Sequence, residues 1–341
     1  MTSPRITAAV GDFDRTRPLL DGRVGVDGFD MAWTSGPLES LFSRAFETAE
    51  FDVTELSFSN FLIATARGDS PYIGLPIFPT RAFRHHAIFI RTDRGIRAPR
   101  DLEGRAIGLR EYTNTAALVA RGALATHYGV DLAKIRWRVG DVDVRERDLA
   151  RISVPPLPAP FDIAVETRGL LSDLLADGQL DGLIAYAPPR CHGQPGVGRL
   201  FPRWWEEEAS YFAATGVFPI MHLVVVKRTT LARYPALAPA LFRAFCRAKA
   251  VAIDDLAIEQ APIVSLPWAA AHLAETRHLL GENFYSYGLA AARKTLEAQI
   301  GFSRAQHLLN RDVAVEELFT PLLHAAVDTG KLSVEGAPDI P

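Results

Sequence analysis

The 341-residue sequence is poor in sulfur and contains no long apolar run. Cys191 and Cys246 are its two cysteines, and three methionines are present. Two distant thiols suggest neither a disulfide framework nor a cysteine zinc site, so we expect a reducing compartment. The sequence shows no basic leader followed by an apolar stretch, and no run long enough to span a bilayer. We therefore predict a cytoplasmic protein with no membrane partner.

Several catalytic signatures are also missing. The segment Gly11-Asp12-Phe13-Asp14 is not a dinucleotide fingerprint, and no Gly-Lys-Ser/Thr phosphate loop occurs. The absence of a Gly-x-Ser-x-Gly motif argues against an α/β-hydrolase. A net charge of -3 gives no electrostatic reason to expect nucleic acid as a partner. Any basic cluster would therefore serve a small anion.

What the sequence does contain is a regular alternation of strand-like and helical segments. With 48% hydrophobic and 23% charged residues the chain is typical of globular proteins, and its length allows two domains. Strand-like runs at 6–10, 29–33, 51–56 and 72–78 alternate with helical spacing at 15–20, 38–48 and 61–67. This rhythm predicts a parallel α/β sheet, in which ligands gather beyond the carboxyl ends of the strands.

The most informative segment is Pro79–Arg91, which places four basic side chains before the apolar run Ala87–Ile90. Cationic groups with no acid among them repel one another unless an anion or solvent compensates. Guanidinium groups suit carboxylates or phosphates because paired donors match paired acceptors. An anion site at the mouth of a strand and a solvated basic loop are both compatible with this segment. The basic residues are Arg81, Arg84, His85 and His86.

Other candidate side chains also lie at predicted element ends. Ser57 and Ser59 follow the third strand, and Thr115 belongs to a set of good N-cap residues before a helix at 116–128. His222 precedes the apolar run Leu223–Val226, as His85 precedes its own strand. We predict that these two strands join two lobes, formed by 1–90 with 223–341 and by 91–222. The alternative interpretation of His222 is a core histidine bonded to the backbone.

The rest of the chain gives less specific signals. The proline-rich segment Val154–Pro160 must be a loop, and Pro188–Gly198 is expected to be exposed. Helical spacing occurs at 239–254, 269–279, 289–300 and 315–327, and 334–341 is a tail. The apolar stripes of these helices can pack internally or against a second subunit, so a homo-oligomer is a possible state. His85, His86 and Glu111 are conceivable metal ligands, but adjacent histidines on a strand diverge, so no metal is predicted.

Ordered motifs along nearly the whole chain resemble the 4,5-dihydroxyphthalate decarboxylase family. The resemblance implies a two-lobed type II periplasmic-binding-protein-like fold with a ligand cleft between lobes. The departures from the family pattern are His86, Ser59-Asn60 and Thr113-Asn114. The matching motifs are Asp14-Arg15-Thr16, Asp21-Gly22-Arg23, Phe51-Asp52-Val53-Thr54-Glu55, Ile77 to His85, Glu111-Tyr112, Thr115-Ala116, Arg121-Gly122, Tyr128-Gly129-Val130, Thr215 to His222, Pro267-Trp268 and Tyr287-Gly288-Leu289.

The resemblance implies loss of CO₂ from a hydroxylated aromatic dicarboxylate, without a cofactor. The substrate it implies is 4,5-dihydroxyphthalate, which would give 3,4-dihydroxybenzoate. Arg81 and Arg84 would bind the two carboxylates, with Ser57, Ser59, Thr115 and His86 nearby. His85 or His222 would donate the proton, because imidazole titrates near neutral pH. Glu111 or Tyr112 would accept the phenolic proton or orient the catechol. A non-catalytic binding protein for a small aromatic or dicarboxylate anion is the alternative.

Overall fold

A computed structural model describes residues 3–144 and 161–331. The predicted loop at 154–160 and the predicted tail at 334–341 lie outside these ranges. Contacts divide the chain into two compact units. Unit 1 comprises Met1–Arg81, His222–Leu296 and Val313–Pro341, and unit 2 comprises Ala82–Met221 and Glu297–Asp312.

Eleven strands and ten α-helices form within the described residues. The strands are β1 (Arg5–Ala9), β2 (Asp30–Thr34), β3 (Val53–Ser57), β4 (Tyr72–Arg81), β5 (Ile88–Arg91), β6 (Ala106–Leu109), β7 (Arg136–Val139), β8 (Asp162–Val165), β9 (Gly182–Ile184), β10 (Val197–Arg199) and β11 (Ile220–Lys227). The helices are α1 (Arg17–Leu20), α2 (Leu38–Thr48), α3 (Phe58–Arg67), α4 (Thr115–Thr126), α5 (Leu171–Ala176), α6 (Trp204–Thr215), α7 (Arg228–Arg233), α8 (Leu237–Leu256), α9 (Ala269–Leu280) and α10 (Leu289–Ala305).

The sheet of unit 1 has the strand order β2-β1-β3-β11-β4. β1 pairs in parallel with β2 and β3, whereas β11 pairs antiparallel with β3, so that His222 lies opposite Ser57. All five residues of β3 are buried, as expected for a central strand covered on both faces. This arrangement brings the amino end of β11 to the carboxyl end of β3.

The sheet of unit 2 has the strand order β10-β5-β9-β6-β7-β8. Strands β9, β6, β7 and β8 are parallel, and β5 runs antiparallel between β9 and β10. Helix α4 begins at the carboxyl side of β6 and is buried along most of its length. The Asn114 side chain caps it by accepting a hydrogen bond from the Ala117 amide at 2.8 Å.

Several element predictions are confirmed, and others are wrong for identifiable reasons. Helix α2 has the predicted limits. The predicted parallel pairing forms among β1, β2 and β3, whereas β11 and β5 run antiparallel to their neighbours, which the strand–helix rhythm did not predict. The predicted helix at 315–327 is replaced by two 3₁₀ turns, Val315–Leu318 and Pro321–Leu323, because proline starts a turn more readily than it continues a helix.

Helix α6 was absent from the sequence prediction. Glu206 and Glu207 stand in its first turn, where negative charge is favourable, and Gly216 follows its last residue with φ of 65°. These are ordinary helix start and stop signals. They were obscured by the aromatic and basic residues just before them. This helix supplies contacts to both His85 and His86.

The unit boundaries also differ from the predicted division at 90 and 222. Strand β5 hydrogen-bonds with β9 and β10, so 82–90 group with unit 2. The segment 297–312 joins the same unit, where the Gln299 side chain bonds the backbone of Ile220 through both its amide oxygen and its nitrogen. No helix within 3–144 and 161–331 is both long and apolar enough to cross a bilayer.

Candidate active site

A buried carboxylate, that of Glu55, lies in the middle of the central strand β3 and organises the carboxyl-terminal edge of the unit 1 sheet. Its Oε2 accepts a hydrogen bond from the Gly11 amide at 2.9 Å. Its Oε1 accepts from the Thr80 hydroxyl at 2.9 Å and lies 2.7 Å from His222 Nδ1. Glu55 itself has no exposed surface. Burial raises the pKa of Glu55, but the hydrogen bonds and the charge of His222 outweigh it, so the pKa lies below its ordinary value.

This network assigns the hydrogen on the His222 ring. An ionised carboxylate is an acceptor only, so His222 Nδ1 donates to Glu55. No hydrogen bond to Nε2 comes from the part of the chain that the structure describes, and 17% of the side chain is exposed. The Phe42 ring meets the imidazole edge to face at 5.0 Å. His222 therefore has a fixed orientation and one ring nitrogen available for proton transfer. The interpretation of His222 as bonded to backbone is wrong.

Two arginines lie near this edge, and they have different surroundings. Arg81 at the end of β4 is buried, and its Nη2 donates to the Ser286 carbonyl at 2.9 Å. Burial lowers the pKa of Arg81 to about 10, which leaves it charged at neutral pH. Arg15, not singled out in the sequence as a site residue, donates through Nε to the Pro79 carbonyl. Its guanidinium carbon lies 4.5 Å from the Phe13 ring centre and 4.9 Å from that of Tyr285.

In unit 2, Arg84 has an unusual environment for a guanidinium. Its Nε donates to the sulfur of Met221 at 3.2 Å, which is the one hydrogen bond that the described residues give it. Burial lowers its pKa to about 10, with Glu208 acting in the opposite direction. A thioether is a weak acceptor. Arg84 therefore keeps most of its capacity to bind an anion.

His85 lies in an aromatic pocket and not among polar groups. It is 4% exposed, and neither ring nitrogen has a hydrogen-bond partner within residues 3–144 and 161–331. Burial, helped by His127 and His86, lowers its pKa to about 4, so the ring is neutral at pH 7. The adjoining cavity has a volume of about 10 Å³. The rings around His85 are those of Tyr211 at 5.1 Å, Phe201 at 5.3 Å and Tyr128 at 5.8 Å.

His86 points in a different direction from His85, and the two occupy a 3₁₀ turn directly before strand β5. Its Nδ1 lies 2.9 Å from Glu208 Oε1, and its ring meets Trp204 at 5.4 Å. Both partners belong to α6. His86 is thus paired with an acid that had no assigned role in the sequence prediction.

The remaining predicted residues fall into two groups. In unit 1, Ser57 ends β3 opposite His222, and Ser59 is fully buried in the first turn of α3. In unit 2, Thr115 begins α4 and is buried. Glu111 is half-buried just before it. These positions match the predicted element ends.

Tyr112 is a core residue. It is 1% exposed, and the guanidinium carbon of Arg121 stacks on its ring at 3.7 Å. Burial raises the pKa of the Tyr112 phenol, although Arg121 acts in the opposite direction. A phenol in this environment is poorly suited to accept a proton. Its prediction as a catalytic base gains no support from these contacts.

The prediction therefore missed Glu55, the central residue of the unit 1 network. A sequence signal existed, because an acidic residue inside a predicted strand, here between Val53 and Leu56, is costly to bury unless it is bonded. No cluster of three or more His, Cys, Asp or Glu side chains suited to a metal ion occurs among the described residues. The arrangement at Glu55 and His222 is that of an oriented acid-base pair.

Solved structures similar to this chain define its fold class. The periplasmic aliphatic sulphonate binding protein SsuA from Escherichia coli has a TM-score of 0.55 and 13% identity, covering 95% of this chain and all of that one. A protein from Archaeoglobus fulgidus has a TM-score of 0.53 and 14% identity, covering 91% and 100%. This likeness confirms the predicted periplasmic-binding-protein-like fold class.

Sequence relatives identify the family, although no family model matches the chain. The chain is 39% identical over 324 residues to 4,5-dihydroxyphthalate decarboxylase from Comamonas testosteroni, covering 94% of this chain and 98% of that one. It is also 39% identical over 206 residues to the protein of the same name from Pseudomonas putida, covering 59% and 78%. This chain belongs to the 4,5-dihydroxyphthalate decarboxylase family, as the motifs predicted.

Proposed function

We propose that the protein is a carboxy-lyase that converts 4,5-dihydroxyphthalate to 3,4-dihydroxybenzoate and CO₂. The observation that carries the proposal is the 39% identity to the Comamonas testosteroni decarboxylase across 98% of that protein's length. The chemistry requires a proton for the ring carbon that loses CO₂. It also requires electrons from the hydroxyl group para to that carbon.

In this proposal His222 is the proton donor. Glu55 accepts the Nδ1 hydrogen at 2.7 Å, so a second proton on Nε2 is the one that can leave. The adjacent carboxylate balances the positive charge of the doubly protonated ring. Glu55 acts through His222 and is therefore a positioning residue, fixed in turn by Gly11 and Thr80. His222 replaces His85 as the favoured donor because the pKa of His85 is too low, about 4, for it to carry the proton at pH 7.

The proposed step balances in atoms and electrons. The para hydroxyl gives up its proton, and its electrons move through the ring to the carbon that bears the departing carboxylate. That carbon takes the proton from His222 Nε2, which forms a C–H bond and a ring ketone. The C–C bond to the carboxylate then breaks, CO₂ leaves, and its electron pair restores the aromatic ring. The ring is restored as a phenolate, the proton that the para hydroxyl released to solvent returns to its oxygen, and His222 takes one proton from solvent, so the net change is uptake of one proton and loss of CO₂.

Other predicted residues keep separate roles in the proposal. Arg84 is an anion-binding residue, supported by a guanidinium whose one described hydrogen bond goes to sulfur. Arg81 is better explained as a support for the segment that contains Tyr285 and Ser286, because its backbone amide donates to the Tyr285 hydroxyl and its guanidinium donates to the Ser286 carbonyl. We also propose a cytoplasmic location, supported by the two free cysteines.

Incubation of the purified protein with 4,5-dihydroxyphthalate tests the proposal. Release of CO₂ and formation of 3,4-dihydroxybenzoate are measured together, with the protein stripped of metal and then with metal restored. In D₂O we expect one deuterium at the ring carbon that lost its carboxylate. Tight calorimetric binding without turnover under either condition would refute the decarboxylase proposal in favour of an anion-binding protein.

A further inference from the structure

Arg15 is connected to the His222–Glu55 pair through the backbone of two segments of unit 1. Its Nε donates to the Pro79 carbonyl, and the next residue, Thr80, donates its hydroxyl to Glu55 at 2.9 Å. On the other side, the Gly11 amide at the end of β1 donates to Glu55, four residues before Arg15. Arg15 thus lies at the same edge of the sheet as the proposed proton donor.

The Arg15 guanidinium is held in a fixed plane. The rings of Phe13 and Tyr285 lie 4.5 and 4.9 Å from its central carbon. Tyr285 is itself fixed, because its hydroxyl accepts from the Arg81 amide at 2.7 Å and donates to Pro79 at 3.0 Å. A buried lysine, Lys249, also donates to the Tyr285 carbonyl at 3.2 Å. The group is preorganised and need not lose further side-chain freedom on binding a ligand.

The same guanidinium retains binding capacity. Nη1 lies 2.9 Å from Asp14, whose side chain is 55% exposed, and such surface pairs contribute little. For Nη2, residues 3–144 and 161–331 supply no hydrogen-bond partner. A planar, fixed guanidinium with an open nitrogen is suited to a carboxylate.

We propose that Arg15 binds the carboxylate that the reaction retains, and so determines specificity for aromatic acids with a second carboxylate. This inference rests on the proposed decarboxylation. The departing carboxylate must lose its charge as CO₂ forms, so a cation fixed on it would stabilise the ground state more than the transition state. A cation on the retained carboxylate carries no such penalty. It would also hold the ring in register with His222.

Calorimetric titration with three ligands tests the role of Arg15. Phthalate carries two carboxylates, 3,4-dihydroxybenzoate carries one, and catechol carries none. For R15Q we expect affinity for the two carboxylate ligands to fall about 10- to 100-fold, as for loss of a charged hydrogen bond. Catechol affinity should change less than about 3-fold. R15K, which retains charge without the planar fork, should lie between the wild type and R15Q.

The matched control is R17Q. Arg17 begins α1 two residues further on and pairs with Asp12 at the surface, so its loss should leave all three affinities unchanged. If R15Q loses affinity for catechol as strongly as for the carboxylate ligands, Arg15 has a merely structural role and the inference is overturned. It is also overturned if R15Q binds the carboxylate ligands as tightly as the wild type does. Undetectable binding of both carboxylate ligands to the wild type would also overturn it. If the wild type decarboxylates 4,5-dihydroxyphthalate but R15Q keeps the wild-type affinities, only this inference is refuted. If the carboxylate ligands bind in an Arg15-dependent way but no decarboxylation occurs, only the proposed reaction is refuted.

Discussion

His222 in unit 1 and His85 in unit 2 each stand near the beginning of an apolar strand, yet their surroundings are opposite. His222 lies 2.7 Å from a buried carboxylate and keeps 17% of its side chain exposed. His85 is 4% exposed among three aromatic rings, and its pKa is lowered to about 4. Equivalent sequence positions therefore produce one histidine suited to proton transfer and one that packs as a neutral ring.

The difference arises from the element that packs against each histidine. The strand β3 brings Glu55 to His222 through antiparallel pairing with β11. Helix α6 brings the Tyr211 ring to His85. Its acidic side chain Glu208 contacts the neighbouring His86 instead. A histidine's chemistry is set by such neighbours, because a carboxylate stabilises the charged ring and an apolar pocket does not.

The largest expected effect is that of H222N. Asparagine places its amide nitrogen near the position of Nδ1 and can still donate to Glu55, but it has nothing at the position of Nε2. We expect kcat to fall by about two to four powers of ten, the usual contribution of a general acid. Steady-state release of CO₂ measures this loss. A kcat of H222N equal to that of the wild type would show that His222 is not the proton donor, and the contrast drawn here between His222 and His85 would not hold.

A smaller effect is expected for E55Q. A neutral amide cannot balance a charged His222 ring, and its NH₂ group conflicts with one of the donors from Gly11, Thr80 and His222. We expect kcat to fall by up to about four powers of ten, as for loss of an orienting carboxylate, but by less than in H222N because the imidazole remains, while KM changes less than about 3-fold.

The pH dependence of kcat distinguishes positioning from structural support in E55Q. If Glu55 orients and balances His222, the profile of the variant should differ from that of the wild type. An unchanged profile with a lower melting temperature would mean that Glu55 only stabilises the sheet. Equal unfolding free energies for the two proteins, measured in urea, would exclude a folding defect as the cause of lost activity.

The smallest effect on catalysis is expected for H85F, with kcat within about 3-fold of the wild type. Its effect should instead appear in stability. Between about pH 6.5 and 4 the unfolded chain binds a proton at His85 that the folded protein excludes, so stability falls as pH falls. Phenylalanine removes this proton linkage. From pH 7.5 to 4.5 the wild type should lose about 2 to 3 kcal/mol more than H85F.

Urea unfolding of both proteins at the two pH values measures this difference. H85N, which keeps a polar side chain in the pocket, serves as a second variant if H85F fails to fold. Parallel loss of stability in wild type and variant would show that His85 does not titrate as described. A fall in kcat by several powers of ten in both variants would return His85 to the catalytic role that the sequence suggested.

Much of the fold was predictable because its signals are local. Apolar runs gave most strands, and helical spacing gave α2 with the observed limits. The failures came where a signal depends on distant partners, as in the antiparallel pairing of β11, or where proline breaks an otherwise helical pattern at Pro321. For the site, basic residues drew attention to the turn at His85, whereas the acid that orients His222 lies 167 residues away in sequence.

The sequence by itself determined the family, through ordered motifs and 39% identity to a relative along nearly its whole length. It also determined which side chains capable of acid-base chemistry stand at strand ends, because periodicity and turn residues are local properties. Only the tertiary structure decided which histidine receives a carboxylate, and that the Arg15 guanidinium lies beside the rings of Phe13 and Tyr285. The reason is that charge, burial and hydrogen bonding at a side chain depend on the elements packed around it, and these come from distant parts of the chain.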